Sequence, residues 1–286
     1  MGARRVVVAA VAVIGLLLVG TIAWANQAQP LRYVNLGDSY SSGAGIQPAA
    51  PGSAPACSQS QLNWAHDIAS DTGATLRDAS CSGAQTKDFR TSQSPGVPPQ
   101  LDAISADTQL ITLTIGGNDN NVFVSTIQKC ATAALTTAGQ GNPCERTYGS
   151  SFVDTINTSN YPNIVRALQD VKKKAPKARV AISGYLRILP ATTGCYPIMP
   201  VASGDVPYLN NIENTLNNAV KRAAAQTGVT YLDVTAISTG HDACQLPGVR
   251  WVEPAVPVNA APVHPNAIGE REMANNAIAN LGLAKV

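Results

Sequence analysis

Charge is scarce in this chain. Lys, Arg, Asp and Glu make up 13% of its 286 residues and sum to a net +2, roughly half the share usual in soluble proteins. Such a surface excludes the basic footprint that nucleic-acid binding requires. The one basic run, Lys172-Lys173-Lys174, falls at the end of an expected helix, where cations complement the helix dipole. Aromatics are equally sparse at 5%, and no Lys/Arg stretch is interleaved with them. Histidine occurs only as His66, His241 and His264, which leaves little choice for any imidazole chemistry. No cysteine spacing resembles a zinc site, and no internal repeat is evident. Neither a metal nor a cofactor is expected.

Against this background stands one long uncharged run, 6–25, preceded by Arg4 and Arg5 and ending in Ala23-Trp24-Ala25. A basic start, an apolar stretch and small residues at its end read as an export signal, residues 1–25, with the mature chain starting at Asn26. The same run is long enough to persist as an anchor, since about 20 apolar residues span a bilayer. The protein is therefore expected to be secreted or associated with the cell envelope, and residues 26–286 to form one domain. Six cysteines (Cys57, Cys81, Cys130, Cys144, Cys195 and Cys244) form an even set behind that signal, so disulfides are expected. Sequential pairing is favoured among about 15 connectivities because each bridge then closes a local loop.

Apolar runs at 31–36, 75–79, 110–115, 179–183 and 230–234 alternate with amphipathic segments at 62–69, 164–171, 208–223 and 265–281. This alternation predicts an α/β fold with a parallel five-stranded sheet covered on both faces. Ile164, Val165, Leu168 and Val171 share one helical face, as do Leu209, Ile212, Leu216, Ala219, Val220 and Ala223; packing accounts for both stripes. Irregular stretches at 41–58, 91–99, 135–152, 186–206 and 238–263 are expected to line a substrate mouth. In or beside them, Tyr185, Tyr196, Pro197, Ile198, Met199 and Trp251 read either as the lining of an apolar acyl pocket or as packing residues, with packing favoured for most.

Three separated segments place polar groups beside turn-forming residues. Gly37-Asp38-Ser39 follows the first strand, so Ser39 emerges at a carboxyl end, where open α/β sheets bind ligands. A serine hydroxyl needs a base. His264, in a Pro/Ala-rich loop before Pro265, is the best candidate, with Pro265 expected to start the last helix. His66 and His241 read as structural. Gly116-Gly117-Asn118-Asp119 follows the third strand, placing the Asn118 amide where it can donate to an oxyanion. Taken alone this segment is also an ordinary turn. Cys81-Ser82-Gly83-Ala84 follows the second strand and presents the Gly83 amide or, more simply, a disulfide-pinned turn.

Taken in order, Gly37-Asp38-Ser39, Ser82-Gly83-Ala84 with Thr86 and Asp88, Gly116-Gly117-Asn118-Asp119 and His264-Pro265-Asn266 resemble the blocks of the secreted actinobacterial SGNH (GDSL) hydrolases. The resemblance implies a flavodoxin-like three-layer α/β/α sandwich, three sequential disulfides, Ser39 as nucleophile and His264 as base. It also implies an oxyanion hole built from the Ser39 and Gly83 amides and the Asn118 side chain. One position departs from the pattern: the family commonly has an acid three residues before the histidine, where this chain has Ala261. A backbone carbonyl serves in some relatives, so the Ala261 carbonyl is the first candidate to orient His264, with Asp242 and Glu253 as alternatives. Asp38 reads as a brace for the nucleophile turn. The expected function is a monomeric serine esterase or lipase acting on esters of lipids or acylated glycans. Acyl transfer from the same site and a non-catalytic envelope-binding module are the alternatives.

Overall fold

The computed structural model describes residues 29–286; the expected signal segment, 1–25, lies outside the described residues. Five parallel strands, β1 (Arg32–Gly37), β2 (Thr75–Asp78), β3 (Leu110–Thr114), β4 (Arg179–Ser183) and β5 (Thr230–Leu232), form one sheet in the order β2-β1-β3-β4-β5. Each residue of β3, Leu-Ile-Thr-Leu-Thr, is buried, as a central strand covered on both faces requires. Edge strand β2 instead alternates between exposed and half-buried positions.

The helices are α1 (Ser39–Ser42), α2 (Trp64–Thr72), α3 (Val122–Thr136), α4 (Pro143–Tyr148), α5 (Ser151–Thr155), α6 (Tyr161–Lys174), α7 (Val206–Thr227) and α8 (Ala267–Leu281). Helix α2 packs on α8, and α6 packs on α7, giving the three-layer flavodoxin-like sandwich that the strand-helix alternation and the motif blocks predict. Ile164, Leu168 and Val171 of α6 and Leu216, Ala219, Val220 and Ala223 of α7 are buried, so both stripes serve the core as expected. The chain order reverses direction between β1 and β3. Gly37 and Thr114 lie side by side there, which opens the crevice where such sheets bind ligands.

Some boundaries differ from expectation. Helix α3 is absent from the sequence reading, and α4 occupies part of the 135–152 stretch read as irregular. Their Ser, Thr and β-branched residues give little helical signal, and the Cys130–Cys144 disulfide ties the two together. Helix α8 begins at Ala267, not at Pro265: Asn266 is its cap, its side chain accepting from the Ile268 and Gly269 amides at 3.1 Å each. Cys57 pairs with Cys81, Cys130 with Cys144 and Cys195 with Cys244, the sequential pattern. In the chain-entropy view each contributes about 3–4 kcal/mol by restricting the unfolded chain. The third bridge joins the 186–206 and 238–263 loops.

Candidate active site

The turn after β1 is held from all sides. Gly37 has φ +119°, and a Cβ there would sit 2.2 Å from the Thr114 carbonyl oxygen, so only glycine fits. Gln100 clamps it, accepting from the Gly37 amide at 2.6 Å and donating to the Gly37 carbonyl at 2.8 Å. Asp38 caps α1 by accepting from the Tyr40 amide at 3.1 Å. Its carboxylate also accepts from the Thr114 hydroxyl at 2.7 Å and the Tyr185 hydroxyl at 2.6 Å. Burial lifts the Asp38 carboxyl to about 6 despite these bonds. It is therefore the expected brace, and Ser39 follows it as the first residue of α1, 5% exposed.

His264 meets Ser39 here. Its Nε2 lies 2.7 Å from Ser39 Oγ, and its Nδ1 lies 2.7 Å from the Pro262 carbonyl oxygen. A carbonyl can only accept, so Nδ1 carries the proton and Nε2 is left as the acceptor for the serine hydroxyl. Burial draws the imidazole below its ordinary value, although the Pro262 bond works the other way. Tyr40 and Phe123 flank the ring, with centroids 5.4 and 5.5 Å away.

The three residues expected to orient His264 do not contact its ring. The Ala261 carbonyl accepts the His264 main-chain amide at 3.3 Å instead, and the next carbonyl, that of Pro262, takes the imidazole. Val263 adopts φ +60°, and this left-handed residue turns the chain so that the Pro262 oxygen points back at the side chain. Asp242 accepts from the Cys244 amide at 3.0 Å and from Gln245 at 3.2 Å. Glu253 is fully buried and accepts from Arg250 at 2.7 Å, Asn266 at 3.0 Å and the Val258 amide at 3.0 Å. Its main chain exchanges bonds with the histidine loop: the Glu253 amide donates to the His264 carbonyl at 2.9 Å, and the Val263 amide to the Glu253 carbonyl at 3.1 Å. Glu253 thus positions the loop and leaves the imidazole alone. Tyr40 adds a bond from its hydroxyl to the Val263 carbonyl at 3.1 Å.

Two further segments reach the same place. One amide hydrogen of Asn118 goes to the Ala84 carbonyl, with Nδ2 3.1 Å away, which fixes the side chain and leaves its second N–H free to donate. Gly83, at φ +77°, is exposed, and among the described residues neither its amide nor that of Ser39 is taken by a protein acceptor. Asp119 joins the two segments, accepting from the Thr86 amide at 2.8 Å and the Thr86 hydroxyl at 2.6 Å. Asn160 donates to the Gly116 and Asp119 carbonyls at 3.0 and 3.1 Å. Tyr185 closes the mesh, its hydroxyl accepting from the Gly117 amide at 2.9 Å. Sequence reasoning left Tyr185 between an acyl-pocket lining and packing, with no part in bracing the nucleophile turn. Its place just past the end of β4 was the available signal for more.

Beside Phe123, Tyr185 and Val263 opens a cavity of about 90 Å³ lined by α3, α7 and the 186–206 loop, almost wholly by apolar atoms. His66 and His241 lie elsewhere: His66 Nδ1 sits 3.0 Å from Asn63, and His241 stacks on Trp251 at 4.1 Å. Among the described residues no three His, Cys, Asp or Glu side chains are placed to hold a metal ion, and no helix is long and apolar enough to cross a membrane.

Comparison with known proteins adds to this geometry. Residues 36–272 match the family described as GDSL-like Lipase/Acylhydrolase. Lipase 2 of Streptomyces coelicolor is 50% identical, over 98% of either chain. Lipase 1 of the same organism is 30% identical over 87% of each. Among solved structures, the extracellular lipase of Streptomyces rimosus has a TM-score of 0.72 at 26% identity, covering 88% of this chain and 99% of that one. Phospholipase A1 of Streptomyces albidoflavus has a TM-score of 0.71 at 25% identity over the same shares.

Proposed function

The chain belongs to the GDSL-like Lipase/Acylhydrolase family and is a carboxylic ester hydrolase, and from that premise we propose that it is an exported serine esterase working on lipid esters through Ser39 and His264. The observation that carries the reading is the line Pro262 carbonyl, imidazole, Ser39 hydroxyl, joined by two contacts of 2.7 Å. His264 Nε2 takes the Ser39 proton as Oγ attacks the ester carbonyl. The new oxyanion faces the Ser39 and Gly83 amides and the free N–H of Asn118, donors already held in place and so needing no reorganisation. His264 then passes its proton to the leaving alcohol, and the acyl group remains on Ser39. In the second half, water gives a proton to His264 as it attacks the acyl carbonyl; the bond to Ser39 Oγ then breaks, His264 returns the proton to Oγ, and the acid leaves.

The apolar cavity beside His264 favours a lipid acyl chain over an acetylated glycan. Residues 1–25 serve as the export signal in this reading, and residues 26–286 as the catalytic domain. The three disulfides support export, because they persist in oxidising compartments.

The test uses the disulfide-bonded mature chain with p-nitrophenyl esters and a fluorophosphonate probe. The wild-type protein is expected to turn over the esters and to take one label on Ser39. Ser39→Ala is expected to do neither while melting at nearly the wild-type temperature. Undiminished hydrolysis by Ser39→Ala would refute the assignment.

A further inference from the structure

The Gly83 amide sits at the centre of a four-residue turn, closed by the Ala84 amide donating to the Cys81 carbonyl at 3.0 Å. Gly83 has φ +77°, whereas Ser82 does not take a positive φ, which makes this a type II turn. A type I turn closes the same bond with its central peptide, here Ser82–Gly83, turned over. The carbonyl and N–H of a trans peptide point opposite ways, so that flip would reverse the Gly83 N–H while leaving both ends of the turn in place. Glycine is free to adopt either form. Space does not select it here, since a Cβ on Gly83 would meet only Gln93 Nε2, 3.7 Å away.

One side chain acts on that central peptide. Gln93 donates from Nε2 to the Ser82 carbonyl at 2.7 Å, and among the described residues no other group donates to this oxygen. The Cys57–Cys81 disulfide, the Ser82 amide on the Cys57 carbonyl at 3.0 Å and the Asn118 bond to Ala84 fix the flanks only. The stretch carrying Gln93 is itself pinned, with the Ser92 hydroxyl donating to the carbonyl of buried Val97 at 2.6 Å. The other end of the Gln93 amide, Oε1, is buried with no partner among the described residues. An unpaired buried acceptor costs stability that an apolar side chain of the same length would not lose, so Gln93 serves the turn better than it serves the fold.

We infer that Gln93 is a positioning residue of the oxyanion hole, which by holding the Ser82 carbonyl keeps the Gly83 N–H turned toward the reacting ester; this rests on the esterase reading of Ser39 and Gly83 and deepens it. The bond selects the type II form over the type I form. It also strengthens the Gly83 N–H as a donor, because hydrogen bonds made in series polarise one another. The N–H matters most where negative charge has developed on the ester oxygen, so the effect of Gln93 falls on kcat and not on substrate binding.

The test compares the disulfide-bonded wild-type protein with Gln93→Met and Gln93→Glu on a p-nitrophenyl ester at about pH 8, where the glutamate is ionised and can only accept. Each variant is expected to lower kcat about five- to tenfold, as for loss of one hydrogen bond, with KM within about twofold of wild type. Gln93→Met is expected to melt at or above the wild-type temperature, since it removes the unpaired oxygen. A kcat within about twofold of wild type in either folded variant would overturn the inference. So would a melting temperature lowered by more than about 5 °C in both, which would give Gln93 a general structural role. Gln93→Glu decides alone should the methionine variant fold poorly. Wild-type turnover that Ser39→Ala abolishes and the Gln93 variants retain in full would leave the esterase reading standing without this inference. Absence of turnover in the wild-type protein would instead overturn the esterase reading beneath it.

Discussion

Replacing Tyr185 by Phe removes one oxygen that serves two strand ends. The hydroxyl donates to Asp38 at 2.6 Å and accepts from the Gly117 amide at 2.9 Å. The ring stays packed edge-on against Tyr40, 5.0 Å away, so no cavity of consequence opens. A bond to a charged group contributes about 1.5–3 kcal/mol, and an orphaned buried N–H costs about 1–3 kcal/mol; a loss near 3 kcal/mol follows. The loss should depend on pH. Asp38 titrates near 6 in the folded protein against an ordinary 3.8, chiefly through burial. A carboxyl raised on folding binds more protons folded than unfolded, so its contribution is full below about pH 3.8 and is lost as pH rises through about 6. Tyr185 offsets that loss by stabilising the ionised form, so its removal raises the Asp38 carboxyl further and costs most where Asp38 is ionised. Guanidinium unfolding at about pH 8 and about pH 5, with unchanged slope, measures this. Equal destabilisation at the two pH values, or less than about 1 kcal/mol at the higher one, would refute the charge-assisted bond. A double-mutant cycle with Asp38→Asn should then also return a coupling below about 0.5 kcal/mol.

Asn118→Ala is expected to lower kcat by about 10²–10³ with little change in KM, as for loss of one oxyanion donor; initial rates showing less than a tenfold fall would remove Asn118 from that role. Because burial holds the imidazole below its ordinary 6.5 and only the neutral ring can accept the Ser39 proton, kcat/KM should be sustained as pH falls and drop only below about 6.5. A steady-state pH profile with its acid limb above that value would contradict the geometry. Glu253→Gln leaves Arg250 as a buried charge without its partner and loosens the histidine loop; a loss of about 3 kcal/mol in denaturant unfolding, with a fall in kcat, is expected. Wild-type stability in that variant would show that the ion pair does not organise the loop.

Much of this architecture is legible in the residues themselves. Strand β3, a run of apolar and β-branched residues, can be read directly, and the stripes of α6 and α7 have the period that a one-sided core imposes. Ser39, Asn118 and His264 can be found because each sits beside Gly or Pro residues whose backbone geometry marks a turn. Tyr185, Gln100 and Asn160 carry no such marker. Each acts through a single side chain that reaches the end of β1 or β3 from a distant part of the chain, and such contacts exist only once the fold has brought those segments together. Helix α3 is hidden for a different reason: its helix-indifferent residues are held by tertiary packing and by the Cys130–Cys144 bridge, and neither is a local property. The orienting carbonyl belongs to the same class, since residue type does not distinguish Ala261 from Pro262, whereas the backbone turn at Val263 does.

That carbonyl changes where the site is sensitive. A carboxylate beside His264 would add a full opposite charge, stabilise the imidazolium and raise its pKa. The Pro262 oxygen supplies orientation and the tautomer, but only a dipole, and burial dominates instead. The imidazole is consequently a weaker base that stays neutral at lower pH. A carbonyl also has no rotamer of its own, and the main chain alone can aim it. The loop must therefore be as rigid as a side chain would otherwise be, and it is tied at successive residues: Ala261 to the Ala44 carbonyl at 2.9 Å, Val263 to Tyr40 and Glu253, and His264 to Glu253. Glu253 is in turn locked by Arg250 and by Asn266, the cap of α8. The work of the absent acid at position 261 is thus spread over a buried ion pair, a helix cap and one tyrosine hydroxyl. Substitutions that never touch Ser39 or His264 should, on this account, weaken catalysis by letting the Pro262 oxygen drift.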